Sequence, residues 1–225
     1  EKTDSDWQVS HFSSRGPVTA TDTRVKPDVV APGSYVLSVQ SHEVLTDEFL
    51  GPGYVYDYRY RNVNSGTNFA FFSGTSMATP VAAGSAALIY QSYTNRFNKA
   101  PSPAMMKAMM VAGARMLNTI LYRYSSFGVE PSVVDQGWGM IDVKRAVDGL
   151  PITAGDTNSI LLMDQDESVS SSETKSYTVT VPANQGGLRI VLAWTDQAGN
   201  PVNSKQLVND LDLYVDGPGG SGYLG

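Results

Sequence analysis

The sequence predicts a mixed α/β chain that passes into an all-β stretch, and three observations carry that reading. Short apolar runs bracketed by proline and glycine occupy the N-terminal part through Val39, as strands ending in turns would. A run of small and apolar residues opens after Phe72, and a second run with helical spacing follows Ser102. From Leu150 onward the helical pattern disappears and β-type runs separated by turn residues replace it. With 225 residues, 41% of them hydrophobic, the chain can fill a core as one large or two small domains.

Composition excludes several classes of function. The formal net charge of -6, without any run of basic residues, argues against a surface that tracks phosphates, so nucleic acid is not expected as a partner. The absence of cysteine removes disulfides and thiolate chemistry. No apolar stretch has the length to span a bilayer, and Glu1-Lys-Thr-Asp-Ser-Asp6 lacks the pattern of a signal peptide, so no membrane partner is expected. Neither end carries a capping element, and the chain reads as a fragment.

In chain order, Trp7-Gln-Val-Ser-His-Phe12 alternates apolar and polar residues before the turn Ser13-Ser-Arg-Gly-Pro17. Val25-Lys-Pro-Asp-Val-Val-Ala-Pro-Gly33 frames a short apolar strand, which Tyr35-Val-Leu-Ser-Val39 continues. Tyr54, Tyr56, Tyr58 and Tyr60 then alternate in a polar stretch with Gly51-Pro-Gly53, a pattern for one face of a hairpin with stacked rings or for a substrate-contacting loop.

Phe72-Ser-Gly-Thr-Ser-Met-Ala-Thr-Pro80 runs straight into Val81-Ala-Ala-Gly-Ser-Ala-Ala-Leu-Ile-Tyr90. Ser76 would sit near a helix N-terminus, where unpaired N–H groups and the positive end of the dipole favour a developing anion. The helix is expected to be buried on nearly every side, with Pro80 tolerated near its start and Gly84 permitting close packing. Ser102-Pro103 reads as N-cap and first-turn proline of a second helix over 104–117, whose Met105, Met109 and Met116 read as core. Asp142 can cap a short helix over 143–147.

Gly74-Thr-Ser-Met-Ala-Thr-Pro80 resembles the nucleophile motif of the subtilisin-like serine proteases, the subtilases. Phe12-Ser-Ser-Arg-Gly-Pro17 and Lys26-Pro-Asp-Val-Val-Ala-Pro-Gly33 resemble the segments that precede the serine in that family, and Gln136-Gly-Trp-Gly-Met-Ile-Asp142 resembles the segment that closes its domain. The resemblance implies part of an α/β domain with a parallel sheet and packed helices over residues 1–149. It implies peptide-bond hydrolysis through an acyl-enzyme on Ser76, with Thr75 supporting the oxyanion hole, Phe72 and Met77 flanking the serine on the substrate side, and a protein or peptide as substrate. Oxidation of Met77 would put a polar sulfoxide beside the nucleophile.

Family order along the chain is Asp, then His, then Ser, and only the serine is present here. The two histidines, His11 and His42, lack the family's His-Gly-Thr-His-type surroundings, and Asn62, Asn64 and Asn68 are too close to Ser76 to be its oxyanion amide. Loss of the histidine costs subtilisin on the order of a millionfold in turnover, so the isolated chain is expected to be nearly inert. The alternative from a different class is a non-catalytic subtilase-like binding module or pseudoenzyme.

After a linker over 150–158, residues 159–225 carry Thr174-Lys-Ser-Tyr-Thr-Val-Thr-Val181, Leu188-Arg-Ile-Val-Leu-Ala-Trp194 and Leu211-Asp-Leu-Tyr-Val215 as β-type runs, predicting a partial β-sandwich. Leu192-Ala-Trp-Thr-Asp196 and Leu207-Val-Asn-Asp-Leu-Asp-Leu213 resemble the C-terminal jelly-roll domain of some subtilases, although fewer runs are present than the roughly eight strands of a complete jelly roll. Asp196, Asn209, Asp210 and Asp212 offer the oxygens that hard cations accept, and the resemblance implies a structural calcium there. It also implies a secreted protein. Gly217-Pro-Gly-Gly-Ser-Gly222 matches a nucleotide-binding pattern formally but precedes no helix, so it reads as a loop.

Overall fold

A computed structural model describes residues 8–19, 21, 24–39, 69–117, 132–148, 162–164, 169–181, 188–217 and 219–224. The tyrosine-rich stretch, His42, the three asparagines before Ser76 and the expected linker lie outside the described residues.

Strand β1 (Val36–Val39) pairs antiparallel with β2 (Phe69–Phe72), Val36 opposite Phe72 and Val39 opposite Phe69. β2 leads through Ser73 and Gly74 into α1 (Thr75–Phe97). Then come α2 (Pro103–Gly113), α3 (Val133–Gln136), α4 (Val143–Val147), and a hairpin of β3 (Tyr214–Asp216) and β4 (Gly222–Leu224). Among the described residues the parallel pairing is one bridge, Val30 to Met140, while Met140 also bridges Arg115 in antiparallel sense. Both named sheets among the described residues are antiparallel pairs.

Local chemistry sets the helix ends. Ser102 is the N-cap of α2, its hydroxyl accepting the Met105 N–H at 3.0 Å, with Pro103 in the first turn. Asp142 caps α4 by accepting the Arg145 N–H at 3.0 Å. Ser132 and Asp135 close a reciprocal capping box on α3. The second helix stops at Gly113, short of the expected residue 117. Gly113 faces Ala146 of α4 so closely that a Cβ would come within 2.7 Å of it, and Arg115 leaves the helix to pair with Met140.

The core lies where α1, α2 and α4 meet: Ile89 and Tyr93, Met105 and Met109, and Ala146. A second cluster joins Val9, Leu117 and Met140, with Val30 against it. The methionines at 105 and 109 are core as expected, whereas Met116 is exposed. The expectation of a helix buried all round fails. Only Ile89 and Tyr93 of α1 are buried, Leu88 and Tyr90 are 54% and 45% exposed, and a Cβ on Gly84 would touch nothing. Uniform small-residue composition permits burial, but a helix buries only the faces that other elements cover, and α2 and α4 cover one side.

In the C-terminal part, residues 174–181 and 188–194 belong to neither named sheet among the described residues and are mostly exposed. Leu211-Asp-Leu-Tyr-Val215 contributes only its end, to β3. The glycine-rich loop is the turn of the β3–β4 hairpin, with Gly219 and Gly220 both at φ 81°, a conformation that favours glycine.

One segment, residues 132–141, ties the N-terminal part together. Gly16 donates to Val134 O, Arg15 pairs with Asp135 at 3.1 Å, Trp138 donates to Asp28 O, and Val30 exchanges hydrogen bonds with Gly139 and Ile141. Gln136 is fully buried, its side-chain amide accepting the Leu117 N–H at 2.7 Å and donating to the Leu117 carbonyl at 3.2 Å. Gln136→Leu keeps the volume but strands both Leu117 groups, and should cost about 2 kcal/mol or more in urea unfolding.

Asp28 accepts from Lys107 of α2 at 2.6 Å and from Lys26. Burial works to raise its pKa, but the two ammonium groups outweigh burial and hold the carboxyl below its ordinary value. A lowered folded pKa stabilises above the unfolded value of about 4 and is lost as pH falls through the folded one. Acid titration of stability should therefore show a larger loss below about pH 5 for the parent chain than for Asp28→Asn; equal losses would contradict the assignment.

Candidate active site

Ser76 is the second residue of α1 and is exposed. The N-cap is Gly74, with φ 155° and no side-chain cap, and the first intrahelical acceptor, Gly74 O, takes the N–H groups of Met77 at 3.0 Å and Ala78 at 3.3 Å. The N–H groups of Thr75 and Ser76 therefore precede any helical acceptor and remain open for an anion beside the Ser76 hydroxyl. No acidic residue occupies the first turn to compete for them.

Backbone contacts hold this turn. Gly74 donates to Gly33 O at 2.8 Å, and a Cβ on Gly33 would lie 2.8 Å from Gly74 O and 3.1 Å from the Ala78 methyl. Tyr35, at φ 50°, donates its N–H to the Ser73 hydroxyl at 2.8 Å. The segment ending Ala31-Pro-Gly33 is thus the buttress of the turn that carries Ser76, a role its turn chemistry alone did not disclose. Thr75 is exposed and its carbonyl accepts the Thr79 hydroxyl at 2.9 Å. Pro80 stands one turn inside the helix rather than at its edge, which leaves the Ser76 carbonyl without an i+4 N–H donor. Phe72, at the end of β2, is 43% exposed, and Met77 is half-buried beside Gly74.

These residues lie in the span that a family model describes: the model for the subtilase family matches residues 2–142, well over half of the chain. The chain belongs to the subtilase family. Similar proteins include the Serine protease/ABC transporter B family protein tagD of Dictyostelium discoideum, 30% identical over 96% of this chain and 14% of its own length. Subtilisin-like protease SBT2.4 of Arabidopsis thaliana is 34% identical over 65% of this chain and 17% of its own. PII-type proteinase of Lactococcus lactis subsp. cremoris is 31% identical over 77% of this chain and 8% of its own. This subtilase chain therefore spans less than a fifth of the length of each of these relatives.

Among the described residues of this subtilase, no histidine is hydrogen-bonded to Ser76, and His11 instead meets Phe12 edge-on at 5.5 Å. No helix among them is long and apolar enough to cross a membrane.

The residues expected to hold calcium fit that role poorly. Asp196 Oδ1 accepts N–H groups from Gln197, Asn209 backbone and Asn209 Nδ2 at 2.9, 3.1 and 2.7 Å, and Oδ2 accepts the Val208 N–H at 2.8 Å. Asp210 pairs with Lys205 at 3.2 Å and Asp212 is exposed. No three acidic or histidine side chains converge among the described residues, whereas calcium takes six to eight oxygens. Asp196 acts instead as a staple between residues 196–197 and 208–209. The hydrogen bond from the Val208 N–H leads the contacts that hold its carboxyl below the ordinary range. Asp196→Ala should lower the thermal midpoint, and added calcium should leave the parent midpoint unchanged; a calcium-dependent rise that Asp196→Ala abolishes would restore the metal reading.

Proposed function

We propose that this chain is the nucleophile-bearing part of a secreted serine endopeptidase of the subtilisin type, which hydrolyses protein or peptide substrates through an acyl-enzyme on Ser76. The observation that carries it is the position of Ser76 in Gly74-Thr-Ser-Met-Ala-Thr-Pro80, at the open N-terminus of α1, in a chain of the subtilase family. The relatives, named as proteases and proteinases, support the same reading.

Ser76 Oγ attacks the scissile carbonyl carbon while its proton passes to a general base. The carbonyl oxygen takes the charge and faces the Ser76 N–H, with Thr75 alongside. Cleavage of the C–N bond releases the amine with that proton, and water then hydrolyses the ester. The base and its orienting carboxylate come from outside the described residues, in keeping with relatives several times longer than this chain. Secretion rests on the family resemblance alone.

Labelling with a fluorophosphonate, read by intact mass, tests this. The full-length protein should gain one adduct, Ser76→Ala should gain none, and the 225-residue chain alone should react slower by orders of magnitude. A folded full-length protein that takes no label would sink the peptidase reading in favour of a non-catalytic binding module.

A further inference from the structure

Helix α2 has no acidic residue in its first turn and no basic residue in its last. Its dipole favours both, an anion at the N-terminus and a cation at the C-terminus. Each is supplied by a residue far along the chain. Asp164 Oδ2 accepts the N–H of Ser102, the N-cap of α2, at 2.9 Å, and on the same oxygen the hydroxyl of Tyr93 at 3.2 Å. At the other end Arg189 Nη1 is shared among the carbonyls of Val111, Ala112 and Ala114 at 3.3, 3.1 and 2.6 Å. A helix leaves such carbonyls unsatisfied as it stops, and among the described residues only that of Val111 has a further donor, the Ala114 N–H.

We propose that Asp164 and Arg189 form a two-ended clamp by which the C-terminal part of the chain grips α2 and, through it, the helix layer behind Ser76. The two contacts are independent, since an 11-residue helix separates them by about 16 Å. Leu162 adds an apolar anchor, packing against the cluster of Ile89, Tyr93, Met105 and Met109. Tyr93 carries the grip from α2 to α1: it is 2% exposed, and its phenol is pushed up to about 12 by burial first and by Asp164 second, so it stays a donor. The C-terminal part is then a brace on the helix layer and not an appendage tethered by a linker.

Amide hydrogen exchange on the full chain tests the clamp, with Asp148→Asn as a charge control outside it. Asp164→Asn should speed exchange at Ser102 about tenfold and leave the far end of α2 unchanged, and Arg189→Met should do the same for residues 111–115 alone. Should Arg189→Met fail to fold, Arg189→Lys keeps the charge without the planar fork and should give a smaller rise at the same end. Exchange unchanged from the parent at both ends, or raised equally throughout the molecule, overturns the clamp.

Discussion

The buried side-chain amide of Gln136 is the interaction on which the N-terminal part depends. Its two hydrogen bonds to Leu117 fix the chain leaving α2 against the segment that precedes α4, and both partners would be stranded in the core without it. Register follows from that anchor. With Gln136 in place, Gly137 turns at φ 60° against the carbonyls of Pro27 and Asp28, Gly139 turns at φ 108° against Arg115, and Met140 drops between Val30 and Arg115. Only glycine fits either turn, since a Cβ would overlap a backbone carbonyl. Local turn chemistry thereby sets a three-segment junction from residues distant in sequence.

What the sequence disclosed was local. Ser102 and Asp142 cap their helices because a side-chain oxygen three residues before an N–H is a local contact, legible without the fold. The small-residue motif around Ser76 likewise declares a turn and a helix start. Burial and pairing were not legible in the same way. The face of α1 that stays exposed and the partner of β1 depend on what other segments do, and no propensity encodes that. The oxygens of Asp196 show the same dependence: their count in the sequence suggests a cation, and the backbone N–H groups they accept come from residues 208 and 209, twelve and more positions away.

The charged contacts at the two ends of α2 were invisible for the same cause. Asp164 and Arg189 lie 62 and more than 70 residues from the atoms they meet. A helix mostly of alanine and methionine, whose one charged residue, Lys107, lies mid-helix and pairs with Asp28, has good propensity, yet no charged side chain in its first or last turn. Long-range side chains supply the rest, so the stability of α2 is a tertiary property.

These constraints meet at Ser76. Helix α1 is held by the core only in its second half, at Ile89 and Tyr93, about 20 Å along the helix from Ser76. An angular error there would displace the hydroxyl appreciably, and the acyl transfer proposed for it tolerates little displacement. The precision at Ser76 must come from nearer contacts, among them the Gly74 to Gly33 bond and the Tyr35 to Ser73 bond. Both run to the segment after Val30, which Met140 and Ile141 hold through the Gln136 junction. The far end of α1 is braced by packing and the near end by backbone hydrogen bonds, and the serine stands at the end where geometry is set by the more directional of the two forces.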